Sequence, residues 1–474
     1  MEARAPRETG GPGETAPSQR RLSTGGWLVG GVAVLLLLPL PPDVSPAVVR
    51  VGILTLFAIA CWATRILPEQ VTALAFFFLA MLFSLASPDV VFSGFQSTAL
   101  WLVFSGLVIG VAMQRTGLGE WVAQTMTGLF GTSYVSLISG LVLIGIALTF
   151  VMPSTIGRTL LLIPIVSAIA ARCGFAKCSP GHTGVVMAAA VGTYMPAAAV
   201  LPANVPNLAL AGIAETLYGL PLQYGSYLVW HMPVTGLLKA IAMVMVICWL
   251  FPATMPPSER VHATLPMTPE QKRLVGLLLA ALGLWMSDAF HHISPAWIGL
   301  GVALVCLLPG VDLVPLAAFN GQINLSPLLY LAGILGMGAM AAQSGLGDLL
   351  ARILLGIISI EPGQHVANFA TLVGVSTLLS MLTTTAGVPA VFSPFAAELA
   401  KAADWPLLTV LMTQVIGYST VILPYQAPPL VLAVQLGGVP PATAVRFMLM
   451  LAAVTLIVLA PLNYLWWQAL GNFG

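Results

Sequence analysis

Two short polar stretches stand inside long apolar sequence, and each holds residue types that bind ions or small anions. The first is Phe150-Val-Met-Pro-Ser-Thr-Ile-Gly-Arg-Thr159 and the second is Leu382-Thr-Thr-Thr-Ala-Gly-Val-Pro389. Ser and Thr hydroxyls, with the carbonyls of unwound backbone, can replace the hydration shell of a sodium ion. The helix that restarts after such a break presents free N–H groups and a partial positive charge, which suit a carboxylate or a sulfate. Thr155, Thr159, Thr384 and Thr385 are spaced for this work. Arg158 is the one formal charge in either stretch. An Arg at membrane depth is costly unless paired or wet. It is therefore either the cationic partner of a dianion or a cap on the carbonyls of a neighbouring broken helix. Its repeat counterpart is Val388, so either role is asymmetric.

Two further breaks carry amides. Pro202-Ala-Asn-Val-Pro-Asn207 and Pro424-Tyr-Gln-Ala-Pro-Pro429 each interrupt an apolar run. Their side chains either contact an ion or a substrate, or satisfy the backbone groups that the prolines free. Lys239 lies mid-run with His231 two turns before it, a spacing open to a proton relay or to a snorkelling side chain. His291 and His292 are adjacent, so their rings diverge and a solvated turn explains them better than a metal. The five cysteines, at 61, 173, 178, 248 and 306, have no zinc-like spacing with His. Neither a phosphate-cradling Gly-rich loop nor a nucleophile–base set is present, which argues against an ATPase and against an enzyme of any kind.

What must position these stretches is a membrane-embedded frame. Of 474 residues 58% are hydrophobic and 7% charged, and mean hydropathy is +0.97. A soluble fold cannot cover so apolar a chain, and the net charge of +1 points to no nucleic-acid partner. The apolar runs flanking the two polar stretches read as too short to cross a ~30 Å core, so the stretches are expected to be tips of re-entrant hairpins. The fold class expected is an all-α polytopic membrane protein of about eleven transmembrane helices plus two re-entrant hairpins in an inverted repeat. Residues 1–24 read as a disordered cytoplasmic tail and 25–45 as a first transmembrane helix. The first repeat is 46–253 with its hairpin at about 135–171. The linker is 254–271, and the second repeat is 272–468 with its hairpin at about 366–400. Gln114-Arg-Thr-Gly-Leu-Gly-Glu120 recurs as Gln343-Ser-Gly-Leu-Gly-Asp348, before an amphipathic piece in each half. With the N-terminus cytoplasmic, Arg65, Arg115, Arg172, Lys177, Arg260, Lys272, Arg273 and Arg446 fall inside, as the positive-inside rule asks.

In this order the motifs resemble the divalent-anion/sodium symporters (solute carrier family 13). The resemblance covers about 46–466. Leu67-Pro-Glu-Gln-Val-Thr-Ala-Leu is similar to the start of that family's third span, Ala112-Met-Gln-Arg-Thr-Gly-Leu118 to the end of its fourth, and His292-Ile-Ser-Pro-Ala-Trp to the entry of its eighth. The tips resemble the family's two Ser-Asn-Thr signatures but keep neither Asn. The resemblance implies secondary active transport of a small divalent or organic anion (dicarboxylate, citrate or sulfate). It further implies an elevator-type mechanism, a homodimer and a bacterial inner membrane. It assigns substrate binding to Ser154, Thr155, Arg158, Asn207, Thr384, Thr385 and Pro428. It assigns sodium, as the coupling ion, to Ser154, Thr155, Asn204, Thr383, Thr384 and Gln426, partly through their carbonyls. Leu430 stands where many members have Asn, which with the lost tip Asn residues bears on both substrate and coupling. The alternatives are a proton-coupled anion carrier or antiporter on the same fold, and a non-transporting membrane sensor.

Overall fold

The computed structural model describes residues 18–38, 45–64, 66–127, 133–152, 154–255 and 266–473. Its regular elements are all helical. In the first half these are α1 (Ser18–Leu37), α2 (Pro46–Thr64), α3 (Glu69–Leu82), α4 (Thr98–Thr116), α5 (Leu118–Thr127), α6 (Tyr134–Val151), α7 (Thr155–Arg172), α8 (Pro180–Tyr194), α9 (Val205–Tyr218) and α10 (Tyr224–Leu250). The second half has α11 (Pro269–Met286), α12 (Pro295–Leu307), α13 (Ser326–Gln343), α14 (Leu346–Ile357), α15 (His365–Leu382), α16 (388–403), α17 (Leu407–Ser419), α18 (Pro428–Leu436) and α19 (Pro441–Ala469). Eight of the described helices are long and apolar enough to cross a membrane.

Helix starts follow the sequence closely because polar caps sit where apolar runs begin. Ser97, Ser133, Ser154, Ser179 and Asn204 each accept a hydrogen bond from a first-turn N–H, and Thr268 forms a reciprocal capping box with Gln271. Two boundaries differ from expectation. α1 begins at Ser18, inside the stretch read as a tail; the rest of that tail and most of the linker lie outside the described residues, as does Arg65. The arms of the first hairpin, α6 and α7, have 18 residues each rather than ten or so. Each is about 27 Å long, and both are among the helices long and apolar enough to cross a membrane, so their length does not mark them as re-entrant. Both arms pack on α8, as both arms of the second hairpin, α15 and α16, pack on α17.

The two halves repeat in order and in contacts. α4 packs on α12 as α13 packs on α3, and the second hairpin arm of each half meets the broken helix of the other, α7 with α18 and α16 with α9. Such reciprocity, element i on j and j′ on i′, is what an approximate two-fold relation between halves produces. Close approach at the hairpins depends on glycine. A Cβ on Gly145 in α6 would lie 2.4 Å from the backbone of Gly192 in α8, and one on Gly417 in α17 would lie 2.6 Å from the Ser376 Cβ in α15. Small residues at helix crossings let backbones meet where lipid offers no hydrophobic drive.

Candidate functional site

The hairpin tips and helix breaks converge on one cavity of about 170 Å³. Six of the residues singled out from sequence line it: Ser154, Thr155, Asn204, Thr384, Thr385 and Pro428. Arg158, Asn207, Thr383 and Gln426 do not. Glu69, Tyr194 and Tyr330 also line the wall, and sequence reasoning did not select them. Among the described residues no Lys or Arg lines the cavity, so any positive potential there comes from helix ends and from the layer behind the wall.

At the first tip the chain leaves α6 at Met152, and Ser154 caps α7 by accepting from the Gly157 N–H at 3.1 Å. Thr155 faces the cavity and donates to the Ala203 carbonyl at 3.2 Å. Arg158 points the other way and is fully buried. Its guanidinium donates to the Met152 carbonyl, to Thr155 Oγ1 at 3.1 Å, and to the carbonyls of Thr193 and Ala203 at 3.1 and 3.0 Å. Of the two roles open in the sequence, the geometry is that of the carbonyl cap: Arg158 fastens the tip to both sides of the α8–α9 break, one residue behind the cavity. Thr159 also turns inward, bonding the Thr155 carbonyl at 3.0 Å.

The amides act in the same way. Asn207 Nδ2 donates to the carbonyls of Ala197, Ala198 and Val200, and its Oδ1 accepts from the Tyr418 hydroxyl at 2.7 Å. It satisfies the backbone that Pro196 and Pro202 unwind and so holds the break open. Asn204 caps α9 through its Oδ1 at 2.9 Å from the Asn207 N–H. Gln426 accepts from the N–H groups of Ile422 and Leu423, donates to Ser380 Oγ, and its carbonyl takes the Thr385 N–H at 2.9 Å. The second tip is thereby fixed to the second break. Thr383 bonds the Leu379 carbonyl at 2.8 Å, while Thr385 shares a 2.7 Å bond with the Tyr194 hydroxyl across the two halves.

The donors facing the cavity are unevenly distributed. The first turn of α7 offers N–H groups at Thr155 and Ile156. By contrast, α18 opens with Pro428 and Pro429, which have none, and in α9 Pro206 follows Val205 and removes the second N–H. Tyr194 was legible only as the last residue of α8 before Pro196, an aromatic closing a run of small side chains. Glu69, in the Leu67-Pro-Glu motif, is the first residue of α3. The remaining sequence candidates are accounted for locally. His291 accepts from the Ile293 N–H and bonds the Leu284 carbonyl, and among the described residues there is no metal-binding group of His, Cys, Asp and Glu. His231 is buried, 3.3 Å from Met412 Sδ, apart from Lys239, whose ammonium reaches Ser419.

This architecture has relatives. The family model for the sodium:sulfate symporter transmembrane region matches residues 27–473. The chain belongs to that sodium:sulfate symporter family. It is a membrane transporter and not an enzyme. The L-tartrate/succinate antiporter of Escherichia coli K12 is 24% identical over 468 residues, 92% of this chain and 90% of the relative. A membrane protein of Cupriavidus necator H16 is 24% identical over 432 residues, 84% and 83% of the two chains. Among solved structures, the Alcanivorax borkumensis YdaH transporter superposes with a TM-score of 0.57 at 16% identity, over 90% of this chain and 99% of that one. Neisseria gonorrhoeae MtrF gives 0.52 at 13%, over 96% of each. These two share the fold of this symporter-family chain.

Proposed function

We propose that the protein is a secondary carrier that exchanges small dicarboxylates across a bacterial inner membrane, with its N-terminus cytoplasmic. The observation that carries this reading is the cavity between the two tips. Its volume of about 170 Å³ is below the roughly 300 Å³ at which sites for drug-sized ligands begin. It pairs the N-terminus of α7 and the hydroxyls of Ser154, Thr155, Thr384 and Thr385 with a guanidinium one layer behind. That chemistry suits a compact dianion better than a neutral or cationic solute. Exchange is favoured because the charge at the first break belongs to a side chain and stays when the substrate leaves. An empty carrier would then move a guanidinium held only by neutral carbonyls and a hydroxyl through the membrane, which is costlier than moving it beside a bound anion. The relatives named as tartrate/succinate antiporters support the same reading. The hairpins with α8, α9, α17 and α18 form the moving unit of an elevator, and α1–α4 with α11–α13 the scaffold through which two copies pair.

Sodium-coupled symport is the second reading. What favours it is a void of about 10 Å³ beside Thr383, Thr384 and Gly387, the size of one water or one small ion, together with the family's own description. Counterflow in proteoliposomes separates the two. Liposomes loaded with succinate and given labelled succinate, tartrate, citrate or sulfate outside should accumulate labelled dicarboxylate with no Na⁺ on either side. Uptake into empty liposomes that requires inward Na⁺ would instead establish symport, and a preference for sulfate would overturn the dicarboxylate assignment.

A further inference from the structure

The first break carries Arg158; the second carries a cation as well, from a different element. Lys239 is 1% exposed, and its ammonium donates to the Ser419 carbonyl at 2.6 Å and lies 3.3 Å from the Ser419 hydroxyl. Ser419 ends α17, where carbonyls without helical partners leave partial negative charge. Among the described residues no carboxylate is a partner of Lys239. A position built only of carbonyl and hydroxyl oxygen is an environment for a hard monovalent cation, and the lysine ammonium is a compact point charge of that kind.

The helix is shaped to deliver it. Met232–Leu238, immediately before Lys239, is a π-helical segment. Each residue that a wide turn inserts rotates the face that follows by about 100°. The segment itself packs on the 196–199 turn of the first break, where a Cβ on Gly236 would lie 3.4 Å from Ala199 Cβ. Thr235 within it donates to Asn463 of α19 at 3.2 Å. α10 therefore touches the first break through its π-turn and holds the second through Lys239.

We propose that Lys239 is a tethered cation for the second helix break, standing where a mobile monovalent cation would otherwise bind, so that α17 and the second tip are held in place without sodium. The inference deepens the carrier reading, on which it relies only for a flux measurement. It assigns Lys239 as a positioning residue that touches no substrate.

The test is thermal melting of the purified protein in choline, K⁺ and Na⁺ chloride, with exchange flux beside it. The wild type should melt alike in all three. Lys239→Arg should behave as wild type. Lys239→Gln should melt lower in choline and lose about tenfold in flux, and both should recover, saturably, with Na⁺ or methylammonium. A saturable Na⁺-dependent rise in the melting temperature of the wild type overturns the proposal. So does a Lys239→Gln protein that equals wild type in choline, or one whose loss no cation restores, since that is a purely structural defect. If Lys239→Gln does not fold, the wild-type ion series still decides. Should the wild type exchange no dicarboxylate in any buffer, the substrate reading fails, while the melting series still tests Lys239.

Discussion

Gly145→Ala separates the geometry of the first break from its chemistry. In an unobstructed helix, Ala in place of Gly stabilises by roughly 0.5–1 kcal/mol. Here the added Cβ would lie 2.4 Å from the Gly192 carbonyl carbon and 2.8 Å from the Thr193 nitrogen, both backbone atoms that no rotamer change can move. Carbon atoms in contact settle near 3.5 Å, so α6 and α8 must part by about 1 Å. Overpacking of this kind costs about 1–3 kcal/mol, which exceeds the propensity gain and sets the sign. The displaced segment includes Thr193, whose carbonyl holds Arg158 at 3.1 Å. Moved by about 1 Å, that contact ceases to be a hydrogen bond, and misplacement on this scale lowers turnover on the order of a hundredfold. Melting of the purified variant and succinate counterflow read the two effects. Gly374→Ala is the control: it lies in α15, and its Cβ would meet nothing within 4 Å, so it should keep wild-type flux and melt no lower. A Gly145→Ala protein that melts and exchanges like wild type would refute the claim that this crossing sets the site.

Three further outcomes are expected. Arg158→Gln removes the cap on the carbonyls of Met152, Thr193 and Ala203 and the charge behind the cavity; it should destabilise by about 1–3 kcal/mol for each buried carbonyl left unsatisfied, seen as a lower melting temperature, and an unchanged melt would dismiss the capping role. Tyr194→Phe deletes one hydroxyl and its bond to Thr385; by the worth of a single hydrogen bond, KM for the dicarboxylate should rise about fivefold with little change in melting, and an unaltered KM would take the hydroxyl out of the site. Lys401 pairs with Glu398 at 2.6 Å on the exposed face of α16; Lys401→Ala should leave melting and flux unchanged, and a clear loss of either would mean that this surface pair matters.

The polar stretches at 150–159 and 382–389 pointed to the site because polar side chains at membrane depth have few innocent uses, and six of the residues they and the two breaks supplied do line the cavity. The roles within that set were not legible. Arg158, Asn207 and Gln426 are set apart from Ser154 or Thr384 by their direction, which sequence does not display: they face the unwound backbone and satisfy it. Prolines that free carbonyls create a demand for donors whose size sequence does not display. Tyr194 escaped notice for the opposite reason, since its partner Thr385 is 191 residues away and only the pairing of halves brings them together. The hairpin arms were read as short because their outer turns look like loops; Ser133 capping α6 extends the helix through them.

The two breaks also differ in what they are fastened to, and this bears on how the carrier can move. Arg158 comes from α7, an arm of the hairpin whose tip it secures, so the first break and its hairpin form one body whatever the rest does. Lys239 comes from α10, outside the second hairpin and its broken helix, yet its bond to the Ser419 carbonyl is 2.6 Å long and fully buried. Breaking that bond during each transit would leave an unpaired charge in a low-dielectric interior, a penalty of several kcal/mol. The Tyr418 bond to Asn207 adds a second tie between the halves at the same depth. On the elevator reading proposed above, α10 would travel with α17, and α19, joined to it through Thr235 and Asn463, with both.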